Sequence, residues 1–193
     1  GDDGIRTKDG ERLSLTIQTV SGWSDFISLN DAMTQQLAAV GIELVPTQVA
    51  WNEWNDSQTQ GTFQLSLDSI GLGASSNPYF TYVGKYHSDN TTPVGEPATA
   101  GNFARYANPV VDEALDTAAA TADEAVQLEQ YAIVQDELIE DMPYIPIYVN
   151  SMLTEFNTSR VTGWPTNEDP YAMPATWKAW DAGIILHSIV PAE

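Results

Sequence analysis

Two short apolar alternations, set either side of a helical stripe, constrain the fold of this chain more than any other feature. Glu11–Thr19 alternates, with Leu13, Leu15 and Ile17 on one face and Ser14, Thr16 and Gln18 on the other. A period of two predicts a strand with one buried face. Ser24 or Asp25 then stands where a helix N-cap is needed, and Phe26, Leu29, Met33, Leu37 and Val40 follow at helical spacing. Gly41 is expected to end that helix as a left-handed C′ residue. Ile42–Val49 reads as a second strand, Trp51–Gln60 as a short helix, and Thr62–Ile70 as a third strand with Phe63, Leu65 and Leu67 inward. Strands joined through helices need right-handed crossovers. The expected fold is therefore α/β, a mixed and mostly parallel sheet with helices on both faces.

Periodicity lapses from Gly71 to Phe103. A stretch that long inside a compact domain is a functional loop or a disordered one, and Tyr79, Phe80, Tyr82, Tyr86 and Phe103 argue against disorder. Asn108-Pro109 then opens a helix with Val111, Leu115 and Ala118 on one face. Thr121-Ala122-Asp123-Glu124 has the form of a capping box for the next helix. Its stripe is Leu128, Tyr131, Val134 and Leu138, and it ends by Met142-Pro143. A short strand is expected over Tyr144–Val149. The tail from Ser159 is rich in Pro and Trp and closes on the apolar run Ile184–Val190.

Charge narrows the list of partners. Lys and Arg number 7 against 27 Asp and Glu, a formal net charge of −20. Nucleic acid is excluded as a partner on that balance, because a polyanion must be met by a basic face; anionic membrane surfaces are disfavoured for the same reason. The acidic excess itself reads as a solvated surface. Cysteine is absent, which removes disulfides, thiol nucleophiles, thiolate zinc sites and iron–sulfur clusters. No apolar run approaches the roughly 18 residues of a membrane span. The opening Gly1-Asp2-Asp3-Gly4, with no Met and no apolar leader, reads as a cut inside a longer protein, so a fragment is expected.

Catalytic readings find little support. His87 and His187 are far apart in sequence and neither sits in a metal-ligand spacing. Nucleophile-elbow, phosphate-loop and dinucleotide-turn patterns are absent, and no spacing singles out a glycosidase pair among so many carboxylates. The expectation is a non-enzyme with no cofactor and no metal; a carbohydrate-active enzyme is the distant alternative. The Asn-x-Ser/Thr triplets at Asn55, Asn90 and Asn157 are what chance gives in such a composition.

Open parallel sheets bind ligands beyond the carboxyl ends of their strands. Here those ends lead into Val20–Ser24, Pro46–Trp51 and Ile70–Tyr82, bringing Trp23, Trp51, Asn77 and Tyr79 to one edge. Trp and Tyr faces suit the apolar faces of sugar rings, while Asn, Asp and Arg suit hydroxyls. Trp23 is either such a platform or a core residue closing the top of the sheet. Trp51 and Trp54, three apart, have the spacing of a packing face. Asn77, Tyr79 and Tyr82 sit in the long loop, as ligand contacts or as loop anchors. The run Gly95 to Arg105 sets Asn102, Phe103 and Arg105 among Gly and Pro, as recognition loops do. Arg105, one of few cations, is a ligand contact or half of a buried ion pair.

The order of these segments resembles the C-terminal lobe of family 5 (oligopeptide-type, cluster C) extracellular solute-binding proteins of ABC transporters. Gly4-Ile5-Arg6-Thr7-Lys8-Asp9-Gly10 before Leu13–Gln18, the helix end Gln36-Leu37-Ala38-Ala39-Val40-Gly41-Ile42, and Glu140-Asp141-Met142-Pro143-Tyr144-Ile145-Pro146-Ile147 carry the likeness. It covers nearly the whole chain. The resemblance implies one lobe of a bilobal, periplasmic-binding-protein-like fold, with residues 1–193 as the C-terminal lobe and the tail 177–193 packed partly on the other lobe. It implies an extracytoplasmic place, as a periplasmic protein or cell-surface lipoprotein, and a membrane permease as partner. Peptide-binding relatives carry a Gly-Trp-x-Ala-Asp-type stretch after the third strand; the corresponding Gly71-Leu72-Gly73-Ala74-Ser75-Ser76-Asn77-Pro78-Tyr79 has neither Trp nor Asp. Asn102-Phe103-Ala104-Arg105-Tyr106, Gly163-Trp164-Pro165-Thr166 and Asp169-Pro170-Tyr171-Ala172 are similar to the branch that binds cellobiose and related oligosaccharides. An oligosaccharide is thus the expected solute and an oligopeptide the alternative. Trp23, Trp51, Asn77, Tyr79, Tyr82, Asn102 and Arg105 are the expected ligand-binding residues.

Overall fold

The computed structural model describes residues 3–70, 77–149, 154–175 and 178–192. They fall into two compact units, Gly1–Ile145 and Pro146–Glu193. The first unit opens on a hairpin, β1 (Thr7–Lys8) with β2 (Glu11–Arg12). Its turn residues Asp9 and Gly10 both have positive φ, 53° and 86°, as a type I′ turn requires. β3 (Ser14–Val20) is the central strand. It pairs in parallel with β4 (Glu43–Val49) from Ser14 opposite Glu43 to Val20 opposite Val49, and on its other side with β5 (Leu65–Ser66). The crossovers are α1 (Ser24–Ala39) and α2 (Trp51–Gln60). Phe26, Leu29, Met33 and Leu37 of α1 pack on the face bearing Leu15, Ile17, Leu44, Leu65 and Leu67. α2 lies against the opposite face, where Gln18 Nε2 donates to Ser57 Oγ at 2.5 Å. The parallel sheet flanked by helices follows the alternation in the sequence.

Several local expectations change. Leu13 precedes β3 and is exposed, so the buried alternation begins at Leu15. Trp23, and neither Ser24 nor Asp25, occupies the N-cap of α1, and its side chain makes no capping bond. Gly41 does terminate the helix: its N–H reaches Ala38 O at 3.0 Å and that of Ile42 reaches Leu37 O at 2.9 Å, a Schellman pair. The third strand shrinks from Thr62–Ile70 to Leu65–Ser66. The cause is Gln64, whose side-chain Oε1 accepts from Thr16 N at 2.7 Å and from Thr16 Oγ1 at 2.8 Å. A side chain thus takes the ladder position that backbone would fill. Phe63 is released from the core with it and only half buried.

The aperiodic stretch holds a helix, α3 (Tyr79–Tyr86), and a 3₁₀ turn, Ser88–Asn90. It packs with α4 (Pro109–Ala119) and α5 (Glu124–Asp141) around Tyr86, Val111, Ala114, Leu115 and Val134. Asn108 caps α4, accepting from Val110 N at 2.9 Å. The cap of α5 is Asp123, accepting from Ala125 N at 2.9 Å, while Thr121 Oγ1 accepts from Asp123 N. The cap is therefore displaced by two residues, because Thr121 is used to shape the turn, and with Val126 at N3 no capping box forms. Tyr131 and Val134 are buried as the stripe predicts, but Leu128 is exposed. Tyr144–Val149 joins no ladder and is not a strand.

The second unit pairs β6 (Val161–Thr162) with β7 (Val190–Pro191) antiparallel, and holds α6 (Ala179–Ser188). Phe156 and Trp164 stack at 4.8 Å and 12°. The apolar run Ile184–Val190 divides into helix and strand; Ile185 is buried, while Trp180, Ile184, Leu186 and Val190 are exposed. Trp177 and Glu193, the ends of the expected lobe-contacting tail, lie outside the described residues. Among the described residues no helix is long and apolar enough to cross a membrane.

Two core positions make opposite predictions. Leu115 is fully buried, and Leu115→Ala should cost about 2–5 kcal/mol of stability. Asn30, 1% exposed on α1, leaves both amide atoms without a partner. Asn30→Leu should therefore gain about 1–3 kcal/mol by removing a buried unsatisfied amide. Denaturant melts of both variants check the signs.

Candidate functional site

The carboxyl edge of the sheet is where β3, β4 and β5 hand over to Ser21–Trp23, Ala50-Trp51 and Leu67–Ile70. Trp23 is half buried and stands edge-on to Trp54 (5.2 Å, 69°) and to Phe26 (5.4 Å, 81°). Trp54 is the buried tryptophan of α2, and its Nε1 donates to Leu67 O at 3.2 Å as the chain leaves β5. Trp51, one turn earlier on α2, is 54% exposed. The packing face expected for the pair thus belongs to Trp54, and Trp51 is left facing solvent at the edge. Residues 71–76, part of the expected recognition loop, lie outside the described residues.

Asn77, Tyr79 and Tyr82 come together at the start of α3. Asn77 Oδ1 accepts from Tyr79 N at 2.9 Å and from Tyr131 Oη at 3.0 Å. Tyr82 accepts from Gln135 Nε2 at 2.9 Å and meets Tyr131 edge-on at 5.8 Å. Asn102 is fully buried: its Nδ2 donates to His87 O at 3.2 Å and Tyr106 O at 2.8 Å, and its Oδ1 accepts from Tyr106 N. Arg105 takes a left-handed backbone, φ 53°. Its Nη1 donates to Gln58 O and Phe103 O, and its Nη2 to Thr59 O and Glu96 O, between 2.6 and 3.1 Å. The guanidinium meets carbonyls, where the sequence suggested a ligand or an ion pair.

A charged pair that sequence reasoning passed over sits beside these groups. Lys85 Nζ lies 3.7 Å from Asp68 Oδ2, with the Phe103 ring 4.8 Å from the ammonium. Burial raises the Asp68 carboxyl above its ordinary value, against the pull of Lys85. With the Gln58 amide turned to satisfy both of its ends, its nitrogen reaches Asp68 Oδ2 at 3.2 Å. The scarcity of cations was the available signal, since Lys85 is one of 7 and buried positive charge needs a partner. Elsewhere, Thr16, Gln18, Thr47 and Gly61–Leu65 line a groove of about 460 Å³ on the polar face of the sheet, away from its carboxyl edge. None of those lining residues is charged. Among the described residues no His, Cys, Asp and Glu group is placed to hold a metal.

Tyrosines dominate the α3–α5 side. Tyr86 is pushed up to about 12 by burial, with Tyr144 and Tyr82 adding to the effect. Tyr106 is also pushed up to about 12, by burial and then by its bond to Asp141 Oδ2 at 2.7 Å. The raised folded value means that the unfolded chain loses these protons first. Stability from both groups is whole below the ordinary value near 10 and is lost as pH rises towards about 12. An ultraviolet tyrosinate titration should show late-ionising groups among the 8 tyrosines, Tyr86 and Tyr106 among them, and Tyr86→Phe should remove one of them.

No family model matches the chain. Protein XP55 of Streptomyces lividans is 32% identical over 146 residues, 75% of this chain and 25% of XP55. The oligopeptide-binding protein AppA of Bacillus subtilis is 23% identical over 146 residues, 76% of this chain and 25% of AppA. The chain thus spans about a quarter of the length of the curated relatives it matches. Among solved structures it is similar to the periplasmic oligopeptide-binding protein of an oligopeptide ABC transporter from Thermotoga maritima, bound to mannohexaose. That match has a TM-score of 0.87 at 29% identity and covers 100% of this chain and 36% of the other. AppA in complex with a nonapeptide matches in fold, with a TM-score of 0.62 at 24% identity over 74% of this chain and 27% of AppA. The chain therefore has the fold of one lobe of a periplasmic binding protein.

Proposed function

We propose that this chain is the C-terminal lobe of the solute-binding component of an ABC importer, which encloses an extracytoplasmic solute against a second lobe and passes it to a membrane permease. The observation that carries the reading is the likeness of all of this chain to about a third of the Thermotoga protein. The remaining length of such a protein leaves room for a second lobe. AppA and the Thermotoga protein are named for binding and not for catalysis.

The relatives' names favour an oligopeptide over the oligosaccharide anticipated from Asn102–Tyr106 and Gly163–Thr166. Oligosaccharide stands as a second reading on one observation, the mannohexaose held by the Thermotoga protein. Trp23 and Trp51 on the carboxyl edge, with Asn77, Tyr79 and Tyr82 on α3, are proposed to face the solute. Asn102 and Arg105 direct their side-chain hydrogen bonds to backbone and are proposed as supports. The exposed residues of α6, Trp180 and Leu186, are proposed to pack on the other lobe.

A thermal-shift screen of the intact protein against short oligopeptides and manno-, cello- and laminari-oligosaccharides tests the function. A solute at a hundred times its Kd adds about 2.7 kcal/mol to native stability. Peptides are expected to raise the midpoint; a rise with sugars alone would install the second reading, and no rise with either would reject the importer assignment. Trp51→Ala should weaken binding about 5- to 150-fold while moving stability by about 0.5 kcal/mol or less, since it is exposed. Trp23→Ala, which strips the edge of Trp54, should also lower stability, by about 3 kcal/mol.

A further inference from the structure

We propose that Arg105 is a positioning residue for solute capture, clamping the C-terminal end of α2 so that the tryptophan edge and the α3 tyrosines form one rigid surface. In the last turn of α2 Gln58 O takes the Gly61 N–H at 3.1 Å, whereas Thr59 O and Gln60 O lie beyond the reach of the helix's own donors, and the negative end of the helix dipole lies there. The loop from Gly95 to Arg105 supplies what is missing. Gln60 O accepts from Gly95 N at 2.8 Å, and Thr59 O accepts from Ala98 N at 2.7 Å and from Arg105 Nη2 at 2.6 Å. Gln58 O accepts from Arg105 Nη1 at 3.1 Å. A planar fork with parallel donors is what a pair of successive carbonyls can use and what a lysine cannot reproduce.

Gly61 is cut to fit this clamp. It ends α2 with φ 69°, and a Cβ there would lie 2.5 Å from Arg105 Cζ. Three residues before Arg105, Asn102 is bonded to His87 O at the end of α3. The short span Asn102–Arg105 therefore ties the C-termini of two helices together. One carries Trp51, and Trp54 with its contact to Trp23; the other carries Tyr79 and Tyr82. Loss of the clamp frees α2 to rock on the sheet while the α4–α5 core stays intact. The inference rests on the solute-binding reading but adds a role that the ligand itself does not reveal.

The test compares wild type, Arg105→Ala, Arg105→Lys and Gly61→Ala in the intact protein, by calorimetry with whichever peptide or sugar the wild type binds, and by amide hydrogen exchange. Arg105→Ala should weaken binding roughly 3- to 30-fold, the range expected of a residue that acts through others. Exchange should quicken at Gly95, Ala98 and the amides of α2 and stay unchanged in α4 and α5. Arg105→Lys should recover part of both effects, and Gly61→Ala, which keeps Arg105 but evicts its guanidinium, should reproduce the Arg105→Ala result. Lost binding with unchanged exchange in α2 would make Arg105 a direct ligand contact and overturn the proposal. Faster exchange with unaltered affinity would overturn it as well, leaving the importer reading in place. A wild type that binds none of the solutes would remove both. Should Arg105→Ala not fold, the Lys and Gly61 variants carry the comparison alone.

Discussion

Parallel pairing of β3 with β4 and β5 is the constraint on which the first unit depends. Two parallel neighbours cannot be joined by a tight turn, so each connection must leave the sheet, cross it and return. The chain spends α1 on one face and α2 on the other. That choice sets the core on the α1 side, where Leu15, Ile17 and Leu44 meet the helix, and leaves Thr16, Gln18 and Thr47 on the α2 side. It also gathers three chain segments at the carboxyl edge that the ladder does not itself consume, which is why the solute is proposed to sit there.

The end of α2 shows how a loop can look like a recognition element and be used as a brace. A helix that must stop beside a sheet has carbonyls to satisfy, and water is the competing partner. Here Gly95, Ala98 and Arg105 satisfy them from a loop forty residues on. The same Gly, Pro, Asn and Arg composition serves ligand recognition and helix capping, since both need exposed donors on a chain free to bend. Asn102 makes the point sharply. Its amide suits a sugar hydroxyl, yet it is fully buried with both ends on backbone.

What could be read in the sequence was what periodicity alone controls. The parallel order, the inward face of α1, Gly41 as its stop and the buried stripe of Val111, Leu115, Tyr131 and Val134 all follow from spacing. Elements decided by a single side chain were not legible. β5 is short because Gln64 enters the ladder, and the α5 cap shifts because Thr121 turns the chain for Asp123. α3 escaped because its core-facing groups are tyrosines and its eight residues carry Gly84 inside, so pattern and propensity disagree. At the site, the sequence named Trp23, Trp51, Asn77 and Tyr79 at one edge, but gave no sign that Asn77 bonds Tyr131 or that Tyr82 meets Tyr131 and Gln135 on α5.

The charge balance and the placement of the cations bear on the kind of solute such a lobe tolerates. Of the 7 Lys and Arg residues, Arg12 is held between Asp3 and Glu43, Lys85 faces Asp68, and Arg105 is spent on carbonyls. Those three of the seven cations answer the chain's own groups, and the four others are outnumbered by 27 carboxylates. With a net charge of −20, the long-range field repels anions within about a Debye length, roughly 8 Å at physiological salt, and favours neutral or cationic molecules. Under the proposed solute-binding role, tryptophan faces and backbone ends at the carboxyl edge would hold a ligand by area and hydrogen bonding without needing charge on it. That field would then accept a neutral oligosaccharide or an uncharged or basic peptide and oppose an acidic one. Selection against anions would come from the whole surface of the lobe, and selection among the rest from the aromatic edge that α2 carries and that Arg105 is proposed to hold in place.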